Sequence, residues 1–411
     1  FSKYKDISIV YNGEIYNIGS YYNELVSEGY HFEGSSDTEV LLNLYLKYGF
    51  EVLTKLNGIF AFAIWDSRSN QLFLARDGMG VKPLYYAETP KGFIFASEVK
   101  ALLKDSSVSR EINPFSLSSY ITYLWSPAPS TMLKSVKKLK PGYAMIIQKG
   151  KVNKKWLYYK SPFTLEIKHK SVNDTKIELR NSIKKAVERQ IISDVPVGTF
   201  LSGGLDSSAI AAFAKDMVGK ERLKCFTISM DDKISKQEGI TSDFPFAKKV
   251  AKHLNLDLYN VHVGPEMADE LEKMIYHLDE PQPDPASLNV LFISRLAREY
   301  GIKVLLSGAG GDDIFSGYRR HRALMMERYW SYLPISVRKV ISLTTNRLPD
   351  SSPSFRRIAK AFRYADLEGD SRIASYFRWL DPKIVNSLLI GTSERPEVKI
   401  DWRIYTKNSD N

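Results

Sequence analysis

The sequence predicts two unlike halves: an antiparallel, β-rich α+β domain over residues 1–160 and a parallel-sheet α/β domain over 175–411. Three observations carry this prediction. Strand-like runs come as hairpin pairs in the first half. They alternate singly with helical segments in the second. Glycine–serine loops that run out of a strand and into a helix occur only in the second. At 411 residues the chain exceeds one ordinary core, so more than one domain is required.

In chain order, VYNGEIYN (10–17) sets a polar Asn12-Gly13-Glu14 triplet between apolar and aromatic flanks and reads as a turn presenting groups to a ligand. SDTEVLLNLYLKYGFEVLTKL (36–56) has helical Leu and Val spacing, with Ser36 or Asp37 as N-cap. GIFAFAIWD (58–66) and QLFLARD (71–77) form one hairpin, the strands within 84–98 a second, and 142–159 a third. Paired strands with few helices predict stacked antiparallel sheets. The polar segment 161–174 is the expected linker.

Beyond it the rhythm is helix 173–192, strand 197–202, helix 206–217, strand 224–230, helix 244–254 and strand 257–263. Helices near 266–278 and 287–300 and a strand at 303–308 follow. Short apolar strands in that alternation predict a parallel sheet covered on both faces. From 319 onward the text is helical and basic, then weakly patterned.

The totals exclude some classes. No apolar run approaches the ~20 residues of a membrane span, and no secretory leader pattern is present. Cys225 is the single cysteine, so there is no disulfide framework and a reducing, cytoplasmic setting is expected. A net charge of +11 raises nucleic acid as a partner. The basic residues are widely spread, densest between Arg319 and Arg363, and read as a solvated surface rather than a nucleic-acid face. Neither nucleic acid nor a membrane is an expected partner.

FLSGGLDSSAIAAF (200–213) is the most informative stretch. Two glycines permit a tight turn and close backbone approach, and the helix start adds unpaired N–H groups that favour an anion. Asp206 is odd beside phosphate unless a divalent cation bridges the two. No lysine stands where a GxxxxGK[ST] loop requires one. LLSGAGGDDIFSGY (305–318) supplies a second strand-end loop with Asp312 and Asp313. In a parallel sheet both loops would open on the ligand side. Between them HLDEPQPDPASLN (277–289) reads as a rigid wall of the pocket or as plain loop.

SGGLDSS resembles the pyrophosphate loop of ATP pyrophosphatases. With VYNGEIYN, SSDTEV, RDGMGVKPLYY (76–86), ASEVKALL (96–103), SDVPVGTFLSGGLDSS (193–208), DEPQPDP (279–285) and LSGAGGDDIFSGY (306–318), the chain resembles the glutamine-hydrolysing asparagine synthetases. The resemblance runs from Val10 to about Tyr318, some three quarters of the chain. It implies an Ntn-hydrolase αββα glutaminase sandwich followed by an ATP-pyrophosphatase domain. The implied reaction adenylates aspartate with ATP and Mg2+, and ammonia from glutamine displaces AMP.

By the same resemblance Asn12 and Gly13 form an oxyanion hole, while Glu14 and Asp37 hold the α-amino group of glutamine. Ser202, Gly203, Gly204, Asp206 and Ser207 receive pyrophosphate. Phe200, Leu201 and Ile228 lie against adenosine, Ser307 and Gly308 at the ribose and α-phosphate, and Asp206 and Asp312 on Mg2+. Ile228 reads equally as a β-branched residue of a central strand. A homodimer is the implied assembly.

The chain also departs from the family pattern. The family nucleophile is an N-terminal cysteine, and this chain opens at Phe1. The expectation is a chain short at both ends, with its glutaminase half inactive as given. Cys225 reads as a small core residue. Ala309 stands where an acidic residue is usual, and Gly78 where arginine is common. Methyl cannot act as a base. The acceptor could therefore be another carboxylate, or the protein a nucleotide-binding paralogue without catalysis.

Overall fold

β1 (Ile7–Ile15), β2 (Gly58–Asp66), β3 (Gln71–Arg76), β7 (Tyr143–Gln148) and β8 (Lys151–Leu157) form a five-stranded sheet in the order β1-β2-β3-β7-β8. Every pairing in it is antiparallel. A second antiparallel sheet has the order β5 (Gly92–Ala96), β4 (Tyr85–Thr89), β6 (Lys137–Lys138). The computed structural model describes residues 6–162, 170–218, 222–230, 243–282, 284, 286–349 and 353–389. The middle of the expected linker, Pro283 and Pro285 of the acidic loop, and the chain from 390 onward lie outside the described residues.

Alternation along β2 builds the first two layers. Phe60, Phe62 and Ile64 point one way and pack with Leu25 of α1 (Ile18–Ser27) and Val40, Leu41 and Leu44 of α2 (Asp37–Tyr48). Ala61 and Ala63 point the other way, toward Leu84, Tyr86, Leu139 and Met145 between the two sheets. Both faces of the sheet's centre are therefore buried, as period-two side chains on a covered sheet require. α3 (Val99–Leu102) closes the outer side of the small sheet through Val99 and Leu102 against Ala87 and Val136. The result is the expected helix–sheet–sheet–helix layering. Helix α1 and α4 (Pro114–Tyr123) are elements the sequence reading did not anticipate. The N-cap of α2 is Ser36, whose hydroxyl accepts the Glu39 N–H at 3.3 Å.

The VYNGEIYN segment corrects an expectation. Asn12, Gly13 and Glu14 are not a turn; they lie inside β1, opposite Ala61, Phe60 and Ile59 of β2. Gly13 is required by close approach instead. A Cβ there would stand 2.7 Å from the Phe60 Cα and overlap the Ile59 carbonyl oxygen. Glycine within a strand marks such an approach as readily as it marks a turn.

The second half is a four-stranded sheet in the order β11 (Asp257–Val263), β10 (Lys224–Met230), β9 (Val197–Phe200), β12 (Val304–Leu306). All of its pairings are parallel. One face packs on α5 (Val172–Gln190), α6 (Leu205–Ala214) and α7 (Phe244–Leu254) through Val187, Ala211, Ala214, Ala247 and Ala251. The other packs on α9 (Ala286–Glu299) through Ile293 and Ala297, with α8 (Leu271–Leu278) preceding it. The chain leaves β9 toward β10 and β11, then returns to β12 on β9's other side. That reversal places a crevice at the carboxyl end of β9. Short helices follow from Arg319 to Leu388. No helix among the described residues is long and apolar enough to cross a membrane.

Candidate active site

Four front-domain residues singled out in the sequence come together at β1. Asn12 donates from Nδ2 to Ser97 Oγ at 3.2 Å and lines a cavity of about 380 Å³ between the sheets. Small partners make the cavity: Ala61, Ala63 and Ala96 line it with Leu84 and Phe95. On the opposite face of β1, Tyr11 donates its hydroxyl to Asp37 Oδ2 at 2.6 Å, and the Ile15 N–H reaches the same oxygen at 3.3 Å. Burial, then the Asp37 carboxylate, pushes the Tyr11 hydroxyl far above its ordinary pKa. It therefore stays a proton donor and holds Asp37 in place.

Glu14 is exposed, and its carboxyl is raised by burial, then by Asp37 and Asp194, with Lys82 opposing. Asp194 belongs to the segment that enters β9. Two carboxylates that act on each other suit a cationic amine, which relieves their repulsion. Tyr11 and Ser97 are site residues that sequence reasoning missed. The signal was present in the alternation of VYNGEIYN, which puts Tyr11 and Asn12 on opposite faces.

The RDGMGVKP segment is braced from within. The buried Asp77 carboxylate accepts N–H groups of Phe60 (3.3 Å), Met79 (3.1 Å), Val81 (3.0 Å) and Lys82 (3.0 Å). Arg76 donates to the carbonyls of Lys82, Leu139 and Gly80, each at 2.7 Å. The Tyr159 ring occupies the space a side chain at Gly78 would need, with Cδ1 2.5 Å from an added Cβ.

In the rear domain, the loop between β9 and α6 is built by its own serines. Ser202 N donates to Ser207 Oγ at 3.3 Å, the two hydroxyls lie 2.9 Å apart, and Gly204 N donates to Ser202 Oγ at 3.3 Å. Gly203 sits at φ +79°, and a Cβ on it would lie 2.5 Å from Ala247 N and Phe246 C of α7. The loop after β12 packs directly on it. A Cβ at Gly308 would lie 2.8 Å from the Asp206 Cβ and 3.0 Å from Ser207 N, and one at Gly311 would overlap the Asp206 carboxylate. Glycines thus let two strand ends converge beyond β9.

Ser307 Oγ accepts the Ala309 N–H at 3.1 Å, leaving the Ala309 methyl exposed. Phe200 and Ile228 share one apolar cluster on the α9 face, whereas the Leu201 side chain is 1% exposed in the opposite core. The expectation that Leu201 lies against adenosine is corrected here, because the whole residue is buried and its N–H is taken by the Phe226 carbonyl at 2.9 Å. The Asp206 carboxylate lies against Gly311 and that of Asp312 against Gly317. No cluster of three or more His, Cys, Asp or Glu that could hold a metal occurs among the described residues. Asp206 and Asp312 are carboxylates of the kind Mg2+ takes, one or two at a time, when phosphates and water complete its shell.

Cys225 is buried in β10, and burial raises its thiol to about 11. A thiol so held is inert as a nucleophile.

The fold is thus an antiparallel sandwich, with a largely apolar cavity between its sheets, joined to a parallel sheet with convergent glycine–serine loops. The comparisons agree. A family model described as "Glutamine amidotransferase domain" matches residues 1–159, and one described as "Asparagine synthase" matches residues 178–406. The chain belongs to the asparagine synthase family. It is 36% identical over 346 residues to a glutamine-hydrolysing asparagine synthetase of Bacillus subtilis, covering 83% of this chain and 52% of that protein. A putative asparagine synthetase of Methanocaldococcus jannaschii is 34% identical over 324 residues, covering 77% of this chain and 60% of that protein. An amidase of Penicillium rubens is 30% identical over 333 residues, covering 77% and 48%. The chain spans about half the length of the curated relatives it matches.

Proposed function

We propose that the protein amidates aspartate to asparagine at the expense of ATP, through an aspartyl-AMP intermediate, with nitrogen drawn from glutamine. The observation that carries this reading is the packing of the Gly308–Gly311 loop on Asp206 and Ser207 at the end of β9. Ser202, Gly203, Gly204 and Ser207 cradle the pyrophosphate, and α6 begins there with free N–H groups. Phe200 and Ile228 border the adenosine, and Ser307 and Gly308 the ribose and α-phosphate. Asp206 and Asp312 hold Mg2+, which when bound disperses charge on the departing pyrophosphate. In the front domain Asn12 and the Gly13 N–H stabilise the oxyanion of glutamine cleavage, and Glu14 and Asp37 bind the α-ammonium. Cys225, inert and in the other domain, is not the thiol nucleophile of that cleavage. We read the protein as a cytoplasmic homodimer.

A second reading, another carboxylate as acceptor, draws on the exposed Ala309 methyl, where an acid that could assist ammonia attack is lacking. Exchange of labelled pyrophosphate into ATP, measured on the full-length protein across candidate acids, separates the two. Aspartate-dependent exchange that Asp206→Asn abolishes is the expected result. Exchange with a different acid alone transfers the reading to that acceptor, and exchange with no acid overturns both.

A further inference from the structure

The first two residues of the acidic loop that leaves α8 grip the front domain. Asp279 stands at φ +63°, and its side chain is 6% exposed. A non-glycine residue persists in that region only where its surroundings hold it. Its carboxylate accepts the N–H of Val99 at 2.8 Å and of Lys100 at 3.4 Å, and pairs with Lys100 Nζ at 3.0 Å. Lys100 Nζ also donates to the Tyr276 carbonyl at 3.0 Å. Glu280 accepts the Met132 N–H at 3.3 Å and pairs with Lys138 at 2.6 Å, with side chains only 18% and 15% exposed.

Three of these front-domain partners connect to the candidate glutamine site through the chain or through the small sheet. Val99 and Lys100 lie two and three residues beyond Ser97, the partner of Asn12. Lys138 lies in β6, paired with Tyr85 of β4 in the small sheet that walls the cavity. The Tyr318 hydroxyl is raised by burial first, then by Asp313, Asp312 and, from the same loop, Asp284, with Arg320 opposing.

Largely buried carboxylates with several fixed donors are costly to unpair and tolerate little displacement. Directed polar contacts of this kind fix register between two surfaces more than they add affinity. We propose that Asp279 and Glu280 are positioning residues that set the register of the glutamine domain on the ATP domain, and so couple nitrogen release to its use. Neither touches substrate. The proposal rests on the function given above.

The test is Asp279→Asn with Glu280→Gln in the full-length protein. Amide exchange in 97–103 and 131–138 should quicken. Glutamate release and ammonia-dependent amide formation should be unchanged. Glutamine-dependent amide formation should fall on the order of ten- to a hundred-fold, as small misplacements do, so glutamate outruns amide. The swapped pair Glu280→Lys with Lys138→Glu should restore part of the coupling. An unchanged glutamate-to-amide ratio, or glutamine- and ammonia-dependent synthesis falling together, overturns the proposal. If the unsubstituted protein makes no amide from ammonia, it is the function that fails. Exchange in 97–103 then decides the clasp, and unaltered exchange overturns it.

Discussion

Gly13 and Gly203 stand at the hearts of the two candidate sites, and the domains use them differently. Gly13 lies in extended strand, where residues of β2, far away in sequence, forbid a side chain. Gly203 lies at a strand–helix junction with positive φ, where the local turn already demands glycine and α7 then seals the space. The front site is thus assembled by sheet register, and the rear site by a self-contained loop that a second loop completes. A local loop advertises itself in sequence, whereas a site made by register does not.

The largest expected effect tests the front site alone. Asn12→Ala should slow glutamine-dependent glutamate release by ~100- to 1,000-fold, the usual cost of one oxyanion donor. Synthesis from ammonia should persist. An undiminished release rate would remove Asn12 from the chemistry and leave it only as the hydrogen-bond partner of Ser97.

The glycine pair sharpens the contrast directly. Gly13→Ala and Gly203→Ala should each destabilise their domain by about 1–3 kcal/mol, as overpacking does. Chemical denaturation would read that loss. Their functional signatures should differ: Gly203→Ala should weaken ATP binding, measured by calorimetry, while Gly13→Ala leaves it intact. Equal loss of ATP affinity in both variants would break the division drawn here.

The smallest effect concerns Glu14. Its carboxyl is raised in the fold by burial and by its neighbours Asp37 and Asp194. A group that holds its proton more tightly when folded favours the fold in acid and opposes it once ionised. Glu14→Gln should therefore raise Tm slightly at neutral pH, and the gain should vanish as pH falls below the ordinary carboxyl range. The same substitution should weaken glutamine binding, because an amide attracts an ammonium less than a carboxylate does. A Tm series against pH, with binding measured in parallel, checks both signs.

Much of the rear domain was legible because its strands and helices repeat a local rule. The strands at 224–230 and 257–263 and the helix at 244–254 occur where periodicity puts them. In the front domain the hairpins were equally plain, since β2, β3 and their turn are contiguous. α1 escaped notice because tyrosines and a glycine mask its period, and α4 because its buried face includes Ser116, Ser118 and Ser119. The roles of Asp279 and Glu280 could not be read at all. Their partners lie up to 180 residues away, and an acidic, proline-rich run looks the same whether it faces solvent or a neighbouring domain.

The sequence by itself determined the two sheet types, the glycine–serine loop with its aspartate, and the family. Each depends on neighbours within a few residues, whose sterics and hydrogen bonds are fixed locally. Only the tertiary structure decided that Asn12–Glu14 form a strand and not a turn, and that Tyr11 orients Asp37. It alone decided that Leu201 turns into the core and that the acidic loop fastens one domain to the other. Those outcomes follow from pairing register and from the need of buried charges for partners, and both are settled between residues the chain keeps far apart.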